Sequence, residues 1–144
     1  MDTNILVYAH RRESPWHGAA RAAMADLLGR AANWAIPWPC VHEFLGVVTN
    51  ARGFATPTPM AAACRQFEYW MESPELRLLG EAPNHWQVLC KILEAGKLSG
   101  PRVHDARIAA ICLQHGVEEL WSADRDFSRM AGLRVRNPLL EQRG

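Results

Sequence analysis

An α/β fold with a mostly parallel central sheet flanked by helices is what this sequence predicts. Short apolar runs alternate with longer segments of helical period, the pattern of strands covered on both faces by helices. Prolines stand where several of those helices would begin, at Pro15, Pro39, Pro59, Pro83 and Pro101, where a missing N–H is no loss. At 144 residues the chain fits one domain, 1–144, and can bury a substantial core. No repeat, low-complexity tract or long linker divides it.

The elements follow in order. Asp2-Thr3-Asn4 precedes a first apolar run, Ile5-Leu6-Val7-Tyr8. Ser14-Pro15 supplies a cap and first-turn proline for a helix to about Arg30, with Ala19, Ala20, Ala23, Leu27 and Leu28 on one side. Trp34-Ala35-Ile36 is a short strand, and Pro39 opens a helix to about Asn50. Thr58-Pro59 opens another, ending near Ser73-Pro74, before the strand Leu76–Leu79. Pro83 begins a helix to about Gly96, where glycine provides a stop. Ser99-Gly100-Pro101 starts a helix ending at His115-Gly116. Val117–Trp121 and Leu133–Val135 complete the strands. Sites in such sheets form beyond the carboxyl ends of strands, an edge that suits both Asp2 and Asp124.

Composition narrows the function classes. The net charge is only +1, so no global field steers the protein toward nucleic acid. The basic residues are 14 Arg and two Lys. This bias suits phosphate, whose oxygens the guanidinium fork binds in pairs, and is equally what a GC-rich coding bias leaves. Cys40, Cys64, Cys90 and Cys112 have no CxxC spacing and lie in apolar helical stretches, as buried free thiols of a reducing cytoplasm do. Neither a secretory leader nor an apolar run near ~20 residues suggests export or a membrane span. No phosphate-binding glycine loop and no G-x-S-x-G elbow is present. His42-Glu43 lacks the second histidine of a zinc peptidase, since position 46 is Gly46. His42 and His104 therefore read as surface or supporting groups.

Carboxylates carry the chemistry. Four of the five aspartates (Asp2, Asp105, Asp124, Asp126) and one glutamate (Glu43) stand at places that surface decoration explains poorly. Asp105 shares a helix face with Ile108, Ala109 and Cys112. It either turns inward, needing a partner or a metal, or favours a helix N-terminus. Glu43 lies among Cys40, Phe44, Val47 and Val48, as a ligand or as a boundary residue with its head in water. Asp2 can also cap a turn, and Asp124 with Asp126 can form one. Acids so far apart in sequence meet only by folding, and they repel unless a cation sits among them. A hard divalent ion preferring oxygen ligands fits best.

Taken together, Asp2-Thr3-Asn4, Glu43 in an early helix, Asp105 at the head of a late one and Ser122-Ala123-Asp124-Arg125-Asp126-Phe127 after a strand resemble the PIN-domain nucleases. Within that family the chain looks most like the VapC toxins of VapBC toxin–antitoxin systems, over nearly its whole length. The resemblance implies a cytoplasmic, divalent-metal-dependent endoribonuclease. Its catalytic set would be Asp2, Glu43, Asp105 and Asp124. Mg²⁺ or Mn²⁺ would be held by Asp2, Asp105 and Asp124, with Glu43 and Asp126 as further members. Asn4 would support the set, and Ser122, standing where Thr is common, would orient a carboxylate. RNA substrate, a cognate VapB-like antitoxin and a homodimer are the implied partners, without a membrane. Arg11, Arg12, Arg52, Arg102 and Arg107 are candidate phosphate contacts, or ordinary solvated surface. Two other readings remain open: an inactive PIN-fold module binding RNA or protein, and an RNA-processing nuclease without an antitoxin.

One departure stands out. The family carries several apolar residues before the first motif Asp, whereas only Met1 precedes Asp2. The expectation is a first strand cut short, which an upstream extension would restore with tighter metal binding and a higher melting temperature. The aromatic stripe of Phe67, Trp70 and Met71, with Trp86 beyond it, is expected to be core or in part a partner-binding patch.

Overall fold

The structure, a computed structural model, describes residues 1–140. Its order is α1 (Thr3–His10), α2 (His17–Gly29), β1 (Trp34–Pro37), α3 (Trp38–Val48), α4 (Met60–Met71), β2 (Leu76–Leu79), α5 (His85–Gly96), α6 (Arg102–Gln114), β3 (Leu120–Trp121), a 3-10 turn (Arg125–Arg129) and β4 (Val135–Arg136). Among the described residues no helix is long and apolar enough to cross a membrane.

The first apolar run is a helix. Asp2 has extended backbone and its side chain accepts the Thr3 N–H, capping α1. Ile5, Leu6 and Val7 are all buried, because α2 and α3 pack against α1. A short run apolar on every side has no period to separate buried helix from buried strand. Arg11 ends α1, its N–H reaching back to the Val7 carbonyl.

Helix ends elsewhere follow local chemistry, with one surprise. The left-handed residue closing α5 is Lys97 (φ 49°), not Gly96. Gly96 instead makes room: a Cβ there would stand 2.9 Å from Leu98 Cγ. The predicted strand from Val117 begins only at Leu120. Val117 still donates to the Cys112 carbonyl, so the chain is closing α6 at that point.

The sheet is parallel and comes in two pairs. β1 pairs β2 in the register Trp34↔Leu76 to Pro37↔Leu79. β3 pairs β4 through Leu120↔Val135 and Trp121↔Arg136. Met1 and Asp2 connect them: the Met1 amine donates to Ala35 O (2.6 Å) and the Asp2 N–H to Trp121 O (2.9 Å). Around this junction Ile36, Phe44, Ile111, Leu120 and Phe127 form a fully buried core. The stripe on α4 divides: Phe67 and Trp70 are core, Met71 is exposed, and Trp86 on α5 is 68% exposed.

Candidate active site

Asp2 stands where the first two residues leave the sheet and α1 begins. It is 4% exposed, and every oxygen of its carboxylate is engaged. Oδ1 accepts the Thr3 N–H at 2.7 Å and faces the Cys40 thiol at 3.8 Å. Oδ2 accepts Asn4 Nδ2 at 2.7 Å and the Ser122 hydroxyl at 2.5 Å. Ser122 has one proton and gives it to Asp2. Its oxygen then accepts from Asn4 Nδ2 (3.1 Å) and from the Asp124 N–H (2.9 Å). Asn4 Oδ1 accepts the Ala123 N–H at 3.0 Å. Asn4 thus bridges the Asp2 carboxylate and the Ser122–Ala123 segment, and Ser122 bonds the carboxylate of Asp2 while holding the backbone of Asp124.

The other acids come from three further elements. Glu43 is an exposed residue of α3, and its Oε2 accepts the Thr3 hydroxyl at 2.7 Å. Thr3 is a supporting residue whose role the sequence did not reveal; its position beside Asp2 was the available signal. Asp105 lies in the first turn of α6, on the face that carries the buried Ile108, Ala109 and Cys112. Asp124 caps the 3-10 turn by accepting the Asp126 N–H at 2.8 Å, and Asp126 lies 3.9 Å from Arg102.

Electrostatics join these acids into one neighbourhood. The Asp105 carboxyl is pushed up to about 6, first by burial and then by the charges of Asp124, Asp2, Glu43 and Asp126. Asp2 is also raised, chiefly by burial and further by Glu43. The bonds from Ser122 and Thr3 and the Met1 ammonium oppose that rise. All five predicted acids therefore act on a single group, Asp105, or are that group. They share a field without forming a ready chelate: among the described residues no three His, Cys, Asp or Glu side chains stand arranged to hold a metal ion. An all-oxygen, mutually repelling donor set is nonetheless the kind that a hard divalent cation relieves.

The arginines divide. Arg11 is 8% exposed and turns inward, bonding Glu13, the Thr58 hydroxyl (2.8 Å) and the Thr56 carbonyl (2.8 Å). Its guanidinium lies 3.9 Å from the Phe54 ring centre. It is a structural clamp rather than a phosphate contact, because its donors are consumed holding the loop before α4. Arg107 pairs with Glu81 at 2.6 Å, and Arg102 borders the acids through Asp126. Arg12 and Arg52 are exposed, as are His42 and His104. Cys40 and Cys112 are buried, and burial pushes both thiols up, Cys112 to about 11.

Comparison with known proteins adds an independent line. The family model described as PIN domain matches residues 1–133. Ribonuclease VapC48 of Mycobacterium tuberculosis is 32% identical over 137 residues, 95% of this chain and 94% of that protein. Ribonuclease VapC31 of the same organism is 34% identical over 140 residues, 96% of this chain and 98% of that one. A crystal structure of VapBC2 from Rickettsia felis, bound to a DNA fragment from their promoter, is similar in fold. Its TM-score is 0.67 at 17% identity, with 94% of each chain covered.

Proposed function

The chain belongs to the PIN-domain family, and from that footing we propose that it is a divalent-metal-dependent endoribonuclease, the toxin of a toxin–antitoxin pair. The observation that carries the reading is the convergence on Asp105: burial first, and then the charges of four other acids from different parts of the chain, hold its carboxyl above the ordinary range. RNA-cleaving relatives matching nearly end to end support the substrate class.

Mg²⁺ or Mn²⁺ bound among Asp2, Asp105 and Asp124 would neutralise these acids, polarise the scissile phosphate and supply a nucleophilic water. The chain's own residues do the rest. Ser122, Asn4 and Thr3 N–H fix the Asp2 carboxylate, so its orientation does not have to be found during the reaction. The Thr3 hydroxyl aims Glu43, which completes the donor set or orients the attacking water. Asp126 is an auxiliary member. Hydrolysis by in-line attack needs no covalent enzyme intermediate and leaves 5′-phosphate and 3′-hydroxyl ends. Exposed Arg12 and Arg52, and Arg102 at the rim, remain candidates for the RNA backbone.

Residues 1–144 act in this reading as one cytoplasmic nuclease domain, paired as a homodimer and silenced by a cognate VapB-like antitoxin. The test is cleavage of single-stranded RNA with and without Mg²⁺, beside Asp105→Asn. Cleavage that needs the ion and falls at least ~100-fold in the variant is expected. Ion-independent cleavage, or an unaffected variant, would refute the assignment.

A further inference from the structure

A groove of about 520 Å³ opens between α1, α2 and α4. Its charged lining is entirely basic. Arg12 follows α1, Arg21 stands on α2 and Arg65 on α4, and all three are exposed. Among the described residues none of the three enters an ion pair, and no carboxylate lines the groove. Three uncompensated guanidinium groups around one concavity make a local positive potential that an anion relieves. Two histidines complete the wall. Both ring nitrogens of His10 are engaged, with Gln66 Oε1 (3.4 Å) and Thr58 Oγ1 (3.0 Å), so His10 is a fixed wall. His17 Nδ1 donates to the Tyr8 carbonyl at 3.0 Å, which leaves Nε2 for a ligand. Tyr69, 61% exposed, adds a flat aromatic face. Helix α1 joins this groove to the acids. Asp2 caps its start, and His10 is its eighth and last residue, so the two lie ~12 Å apart at 1.5 Å per residue. The His10 ring meets the Phe44 ring edge-on at 5.5 Å, one residue beyond Glu43.

We propose that this groove is a second subsite for single-stranded RNA, holding the chain beside the cleavage centre, with Arg12, Arg21 and Arg65 on phosphates and Tyr69 against a base. The choice of substrate rests on the nuclease reading. Three observations select that occupant. Guanidinium forks match phosphate oxygens in pairs, and here three converge without a competing carboxylate. Arginine beside an exposed aromatic ring is the combination that grips unpaired nucleotides, by charge on the backbone and by stacking on the base. The wall is more polar than apolar, which suits a polyanion better than the apolar face of an amphipathic helix. The groove also answers an electrostatic need. A cluster of carboxylates repels RNA, and a net charge of +1 supplies no general attraction. A concentrated basic groove one short helix away supplies it locally.

The experiment follows binding of a fluorescein-labelled uridine oligonucleotide by anisotropy at rising KCl, in EDTA. Arg21→Gln with Arg65→Gln should weaken binding at least ~10-fold and flatten the slope of log affinity against log salt by about 1.4, the loss of two phosphate contacts on a single strand. Tyr69→Ala should weaken it at least ~5-fold and leave the slope unchanged, since stacking releases no counterion. Arg30→Gln, an exposed arginine that does not line the groove, should match the parent. An unchanged slope in the double variant would overturn the proposal. So would an oligoglutamate peptide that bound the parent more tightly than the RNA, which would assign the groove to an acidic protein partner. Cleavage with Mg²⁺ is scored apart from binding. Binding of this signature without cleavage would sink the nuclease reading alone, and cleavage with an unaltered slope would sink the groove alone.

Discussion

The Ser122 hydroxyl donates to Asp2 Oδ2 across 2.5 Å, linking residues 120 positions apart in the chain. The bond ties the cap of α1 to the turn that carries Asp124, because Ser122 Oγ also accepts the Asp124 N–H. Two acids of the candidate centre are thereby placed relative to one another through a single oxygen.

Ser122→Ala should lower kcat about 10-fold while the fold survives, with a stability loss of about 1.5–3 kcal/mol for a hydrogen bond to a charged group. Ser122→Thr should restore most of the activity by returning the hydroxyl. Steady-state RNA cleavage alongside urea unfolding separates the two effects. A kcat unchanged by the alanine would remove Ser122 from the site's machinery.

Thr3→Val removes the bond to Glu43 Oε2 while keeping the branched shape at the start of α1. Glu43 is exposed, so its freed carboxylate can reach water and the fold should lose under ~1 kcal/mol. Activity should fall several-fold, with Thr3→Ser near the parent. Equal turnover by the parent and both variants would mean that Glu43 needs no guide.

The metal-free protein should become less stable as pH rises from about 4 to above 6. Asp105 is raised from its ordinary 3.8 to about 6, so the folded chain holds this proton more tightly than the unfolded one. The contribution is complete below the ordinary value and disappears as pH climbs through about 6. Asp2 is raised as well and acts in the same direction. Asp105→Asn should flatten part of the profile. Because a cation competes with these protons, Mg²⁺ should protect against melting more at pH 7 than at pH 5. A melting temperature that rose steadily across that interval without metal would contradict the repulsion among these acids.

Arg11→Ala should destabilise the chain by about 2 kcal/mol through lost packing on Phe54 and loss of the bonds to Thr56 and Thr58. The salt dependence of RNA binding should keep its slope, since a residue that meets no phosphate releases no counterion. A flatter slope would instead place Arg11 on the RNA.

Much of this protein was determined locally. Proline and cap positions located α2 to α6 within a few residues, since a helix start is settled by the side chains of one turn. The apolar face of Asp105 follows from helical spacing, and the order of the acids along the chain points to the family. The rest was decided by packing. Ile5–Tyr8 became helix because α2 and α3 bury it, a fact absent from a run with no polar side. Arg11 turned inward because Phe54, Thr56 and Thr58 fold back over it. Ser122 found Asp2, and Thr3 found Glu43, across 120 and 40 positions respectively. Sequence fixes relations within a turn or a strand, where backbone geometry sets who is neighbour to whom. Which distant groups share a bond depends on how whole elements pack, and only the tertiary structure decides that.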